Sequence, residues 1–297
     1  IQICGTPDNA PGAANLDAAL FEGAGFADIH LAGLESLVLS PGTRIRPAVL
    51  SLELQPDYLV RPSGSRVEDF TRPVKLDDLV RPPVNLSLTV ENIGDGTGDL
   101  LIGAGARIEA DPRANITLAA GRLLNIQGSI SAPGGTITAT TTTLDNKKDI
   151  PFDPANSLWL GRQAVLDVSG VALTYLDSQR LTQGTVLAGG AITLNAKAGY
   201  VVAEAGSSIR MAGAAPVRLD ILNQTGGLGQ WVGSDAGTLN IGAHEGVMLD
   251  GTLWAQAGGA SNRGGVFSLA LGNNLILDPI NLGYPTGERI VSLAPSV

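Results

Sequence analysis

The sequence predicts an all-β protein, a right-handed parallel β-helix made of short stacked coils. Three observations carry that prediction: a strand motif that recurs along the chain, apolar–polar alternation inside each copy, and a glycine-rich composition that is poor in charge. Of 297 residues, 44% are hydrophobic but only 4% aromatic, and 39 are glycine. Charged residues make up 16%, against about 25% in an average soluble domain, so the Lys- and Glu-rich outer faces of helices are missing. The apolar fraction and the regular alternation separate the chain from a disordered glycine-rich one.

The motif runs small residue, any residue, aliphatic, any residue, apolar or small residue, then glycine or proline. It occurs at 42–47, 105–112, 128–134, 164–170, 207–213 and 251–258. Its central aliphatics are Ile45, Ile108, Ile130, Leu166, Ile209 and Leu253, spaced by 63, 22, 36, 43 and 44 residues. Four of the five spacings lie close to multiples of 21 or 22, which predicts a coil of that length, with two coils between Leu166 and Ile209. The fifth contains an insertion. Further alternating stretches precede the motifs, at 115–118, 191–194 and 238–241; alternation sends successive side chains to opposite faces of a strand. Roughly a dozen coils stacked at strand spacing would give a rod about 60 Å long. The central aliphatics are expected to form one inward ladder, with glycines at positive φ turning the corners.

The elements follow in order. Residues 1–25 are irregular, with one short helix from Asn15 to Phe21, capped by Asn15 and stopped at Gly23. Residues 26–54 read as the first β-helix coils, the last strand of which is 49–54. Residues 55–83 break the pattern with Pro56, Pro62, Pro73, Pro82 and Pro83, together with Arg61, Arg72 and Arg81. Proline removes ladder donors, so this stretch is predicted to be a strap outside the stack, held by its arginines and by Tyr58, Phe70 and Leu76. Residues 84–297 form the main β-helix, with insertions near 141–157 and 175–186. In the Thr-rich strand at 136–143, Ile137 and Ala139 face inward while Thr136, Thr138 and Thr140 face outward.

Charge narrows the partners. A net charge of −9 and only 19 Lys and Arg disfavour nucleic acid, whose phosphates need a basic patch, and anionic membrane surfaces. No run of about 18 apolar residues is present to span a bilayer as a helix. The chain starts at Ile1 without an initiator Met or a leader, which suggests a piece processed or excised from something longer. A single cysteine, Cys4, rules out a disulfide framework and a Cys-based zinc site within the chain.

Parallel β-helices can carry polysaccharide lyases and hydrolases, so converging carboxylates matter. Asp77 and Asp78 are adjacent and would point to opposite faces; Asp220, Asp235 and Asp250 lie 15 apart, which does not match the repeat. Asp167 and Arg210 share a motif offset but stand 43 residues apart. The run from Gly94 to Leu101 hints at a calcium nonapeptide, with Asp99 in the ligand position, yet Asp95 and Thr97 replace two of its glycines. His30 and His244 are the only histidines, and His244 beside Glu245 lacks a third ligand at metal spacing. Trp159, Trp231 and Trp254 could meet sugars if exposed. Trp159 reads as structural, and Trp254, at an outward offset beside Leu253, is the stronger surface candidate. No catalytic, cofactor-binding or metal-ligating residue is assigned, and no enzyme activity or cofactor is expected.

The run Leu158-Trp-Leu-Gly-Arg-Gln-Ala-Val-Leu-Asp-Val-Ser-Gly170 resembles the large bacterial exoproteins of the filamentous haemagglutinin family. So do Gly189-Gly-Ala-Ile-Thr-Leu-Asn-Ala-Lys-Ala-Gly-Tyr-Val-Val202, Ala205-Gly-Ser-Ser-Ile209 and Gly25-Phe-Ala-Asp-Ile-His-Leu31. The resemblance is densest over 158–260 and extends across 84–140. It implies a right-handed parallel β-helix exported through an outer-membrane pore by a partner protein, then displayed on or released from the cell surface. The Asn-rich motifs of that family's secretion domain are missing, which implies a stalk segment. The expected role is a structural or adhesive segment of an extracellular or cell-surface protein. Its expected partners are other β-helical segments or copies of itself end to end, the secretion pore during export, and host or matrix glycans. The alternative is a carbohydrate-active or glycan-binding β-helix.

Overall fold

The computed structural model describes residues 1–5, 14–91, 97–142, 155–222, 228–272 and 291–293. Its described strands assemble into a parallel β-helix. Three long parallel sheets run the length of the stack, with nine, six and seven strands. Each full coil contributes one strand to each sheet. The coil at Asn115–Ala120, Leu124–Ile126 and Ser129–Ser131 shows the plan, reaching the seven-, nine- and six-strand sheets in turn.

The predicted ladder is present. Ile45, Ile108, Ile130, Leu166, Ile209 and Leu253 pair in that order, each directly beside the next. All are buried except Leu253, which is 40% exposed on the last strand of the six-strand sheet. The seven-strand sheet repeats the device with Ile29, Leu86, Ile116, Ile137, Ile192, Leu239 and Phe267. Ile137 and Ala139 are buried, while Thr136, Thr138 and Thr140 point outward.

The coil count is corrected. Since every consecutive pair in the ladder is adjacent, the 63-, 43- and 44-residue spacings are each one coil plus an excursion, not two or three coils. Six full coils are described, with extra strands at either end, about half the number expected; at strand spacing the nine-strand sheet is about 38 Å long. Only the step from Ile108 to Ile130 is a bare coil. The excursions fold as antiparallel hairpins that leave at the same corner, between the six- and seven-strand sheets: Ser51–Leu54 with Thr71–Val74, Ala172–Leu176 with Thr182–Val186, and Val217–Leu222 with Leu228–Val232. The strand at Ser51–Leu54 therefore belongs to an outer hairpin and not to a coil. The hairpin at 217–232 had no sequence signal apart from the lengthened spacing. The insertion expected near 141–157 leaves at a different corner, and its residues 143–154 lie outside those described.

Arg81, and not Tyr58, fastens the 55–83 excursion. Arg61 pairs with Asp57 within the excursion and Arg72 with Glu53 on the facing strand of the same outer hairpin, and Tyr58 is 43% exposed. Arg81 is buried and donates Nε to Asp111 at 2.7 Å and a second guanidinium nitrogen to the same carboxylate at 2.5 Å. It also pairs with Asp78 and the Leu76 carbonyl. Its hydrogen bond to Asp111 holds the guanidinium still more firmly charged, against the opposing effect of burial. At the amino end, Gln2–Cys4 and Asn15–Asp17 add two parallel strands to the nine-strand sheet. Asn15 is thus strand, and the helix shrinks to Leu20–Gly23, with Ala19 at its cap.

Glycine acts in two ways. Gly42, Gly105 and Gly206 sit at φ of +72°, +70° and +99° where the chain turns from the nine- to the six-strand sheet, as predicted. Gly135, Gly190 and Gly237 matter through close approach: a Cβ on Gly190 would lie 1.8 Å from the Gly135 carbonyl oxygen, and one on Gly237 1.9 Å from that of Gly190.

Candidate functional site

The carboxylates flagged in the sequence are spread out, and apart from Asp250, which is exposed, they are committed to local structure. Asp77 caps the amide of Leu79, and Asp78 pairs with Arg81. Asp220 accepts from the Thr182 amide at 2.8 Å, tying the hairpin at 217–232 to that at 172–186. Asp235 accepts from the Arg263 amide and from Asn262, and these bonds hold its carboxyl below the usual range. Asp99, the possible calcium ligand, binds Arg122 on the next coil at 2.7 Å; Asp95 lies outside the described residues. Among the described residues no group of three His, Cys, Asp or Glu is placed to hold a metal ion.

Asp167 and Arg210 are closer than the sequence reading allowed, directly paired on neighbouring coils. Each nevertheless bonds within its own coil, Asp167 accepting from the Ser169 amide just past its strand and Arg210 donating to the Ser208 hydroxyl. His30 points outward next to Ser87. His244 Nδ1 lies 2.6 Å from Glu245. Tyr200 is shifted upward, first by burial and then by the charge of Glu245. Cys4 is a buried free thiol. Trp254 is 47% exposed beside Arg210, and Trp231, on an outer hairpin, is 70% exposed.

A groove of about 600 Å³ lies on the outer wall, at the corner between the nine- and six-strand sheets. Trp159 forms one side. On Leu158–Leu160 its neighbours inward are Leu158 and Leu160, both fully buried, so alternation drives the indole out of the stack. Its Nε1 donates to Glu204 Oε1 at 2.8 Å, and Glu204 Oε2 faces Arg162 Nε at 3.5 Å. Glu204 thereby fixes the plane of the indole, which remains 37% exposed. Asn125 sits one strand away in register with Trp159. Its Oδ1 is buried without a hydrogen-bond partner, an arrangement that costs about 1–3 kcal/mol. Gln127, Gln163 and Arg162 complete the polar wall.

Sequence reasoning placed Trp159 in the structural class and preferred Trp254. What it lacked was the stacking of 123–127 beneath 159–163 with Glu204 above. The outward offset of Trp159 inside an alternating strand was the available signal.

These features define the class as a parallel β-solenoid with a polar-aromatic groove on its wall. No protein-family model matches the chain, and no curated protein or solved structure matches it either.

Proposed function

We propose that the chain is a structural and adhesive β-helical segment of a secreted or cell-surface bacterial exoprotein of the filamentous haemagglutinin type. The observation that carries this reading is the uninterrupted axial ladder. The same inward aliphatic position is filled on six successive coils, and three hairpin excursions are carried outside the stack at one corner. A stack that tolerates such additions without breaking is suited to spacing and display. The family-like runs at 158–170 and 189–202 support the exoprotein assignment, and with it the outer-membrane pore as partner during export. No described helix is long and apolar enough to cross a membrane.

The other proposed partner is a second β-coil. Phe267 and Leu253 occupy inward positions but are 46% and 40% exposed, and Val266–Leu271 ends the seven-strand sheet among the described residues. The Val266 and Gly272 amides bond back to the preceding coil, so by alternation those of Phe267, Leu269 and Leu271 face away from it. Such an edge is a template for further pairing. The purified chain should associate in a concentration-dependent manner, and Leu269→Pro should weaken that association. A monodisperse monomer at high concentration overturns this partner.

The decisive experiment for the function is localisation of the native gene product by immunogold labelling and fractionation. Surface or medium localisation supports the reading, and retention in the cytoplasm overturns it. A second reading, a carbohydrate-active or glycan-binding β-helix, is favoured by the groove at Trp159.

A further inference from the structure

We infer that the groove beside Trp159 is a binding subsite for a neutral oligosaccharide lying along the rod axis. The inference does not depend on where the rod is displayed.

The shape comes first. The groove draws its walls from four successive coils: Ala104, then Asn125 and Gln127, then Trp159 and Arg162, then Glu204. Four coils at strand spacing extend about 14 Å along the axis, which suits an extended chain of sugars better than a single compact metabolite. The volume of about 600 Å³ lies within the range of small-ligand sites, about 300–1,000 Å³.

The chemistry selects the ligand. An indole face is negative at its centre and receives polarised C–H groups; a pyranose ring presents just such a flat C–H face. The Trp159 plane is held by Glu204 before any ligand arrives, so stacking costs little side-chain entropy. The rim around the indole bears planar amides, Asn125, Gln127 and Gln163, which donate and accept as sugar hydroxyls do. Asn125 lines the groove in register with Trp159, so its amide stands beside the indole for exchange of hydrogen bonds with a sugar hydroxyl. The site has one cation and one anion, Arg162 and Glu204, facing one another, and the chain carries a net charge of −9. A polyanionic saccharide gains little from such a field, so the ligand is neutral.

The test is calorimetric titration of the whole chain with cellotetraose, xylotetraose and chitotriose as neutral probes and tetragalacturonate as the anionic one. At least one neutral probe should bind. Trp159→Ala should weaken it about three- to tenfold, the worth of one aromatic contact, whereas Trp231→Ala and Trp254→Ala should leave it unchanged. Glu204→Gln, which keeps an oxygen for the indole N–H, should retain more affinity than Glu204→Ala. Asn125→Leu removes the unpartnered oxygen next to Leu101; it should raise the melting temperature while weakening saccharide binding, a combination that a purely structural asparagine would not give. The inference is overturned if no neutral probe binds at concentrations on the order of 10 mM, if Trp159→Ala binds as tightly as the parent, or if tetragalacturonate binds best.

Discussion

Between Ile108 and Ile130 the chain completes a coil in 22 residues, and between Ile45 and Ile108 it completes the same coil in 63. The two steps end in the same register, with equally buried aliphatics. The comparison teaches that the stack is indifferent to what leaves it, provided that the chain returns at the right corner. Closing a loop nearly three times longer costs only about 1 kcal/mol. The excursion, however, gains no share of the ladder and must be fastened separately. The bare coil is held by many equivalent contacts, whereas the excursion at 46–84 is held by few, of which the buried Arg81–Asp111 pair is the principal one.

The largest expected effect breaks that fastening. Arg81→Ala strands Asp111 in a buried position, and removal of one member of a buried pair costs about 3–5 kcal/mol. Urea unfolding should register the loss, and limited proteolysis should cut within 55–80 well before the coils. Replacing both residues with apolar ones, Arg81→Met with Asp111→Leu, should recover much of the stability. If the single and double variants unfold alike, the ion pair is not the anchor.

A ladder truncation tests the other side. Ile130→Ala, fully buried between Ile108 and Leu166, should cost about 2–5 kcal/mol. Leu253→Ala, in the same ladder but 40% exposed, should cost about 1 kcal/mol or less. Equal losses at the two positions would remove the distinction between the interior of the stack and its last coils.

Close approach between coils gives the next effect. Gly190→Ala places a methyl against the Gly135 carbonyl and should cost about 1–3 kcal/mol, as overpacking does. Gly23→Ala, with open space at its Cβ, serves as the control and should change the urea midpoint little.

The fold was legible in the sequence because its repeat is a property of single strands: alternation and the small–aliphatic–small motif report which way each side chain points. The number of coils was not, because a whole coil and a hairpin have similar lengths. A spacing of 43 residues therefore reads as two coils when it is one coil and a hairpin. Arg81 was flagged as a strap residue, but its buried partner, Asp111, lies 30 residues on in an ordinary turn. The groove was less legible still. Trp159, Asn125 and Glu204 come from three coils, and their meeting depends on a register that the irregular spacings concealed.

The smallest expected effect concerns acid, and it falls where the two steps of the opening comparison meet. Glu109, on the second coil, bridges Arg44 and Arg46 on the first, at 2.5 and 3.0 Å, just where the long excursion departs. Burial alone would push its carboxyl upward, but the hydrogen bonds from the two arginines prevail and hold it below the usual value. A carboxyl that is more acidic in the folded state than in the unfolded one, where it titrates near about 4.3, contributes stability that is present above that value. The contribution is lost as pH falls through the folded value. Asp235 behaves alike, bound by the Arg263 amide and Asn262. Tyr200 has the opposite sign: raised by burial and by Glu245, it stabilises below about pH 10 and loses that contribution as the pH climbs further. The urea midpoint should therefore be flat near neutrality and fall at both extremes. Because Glu109 is partly exposed, screening keeps its share to about 1 kcal/mol or less. Glu109→Gln should lower the neutral midpoint slightly and flatten the acid limb below about pH 4. An acid limb identical to that of the parent would show that the bridge carries no net stability, leaving the junction between the two coils to the ladder alone.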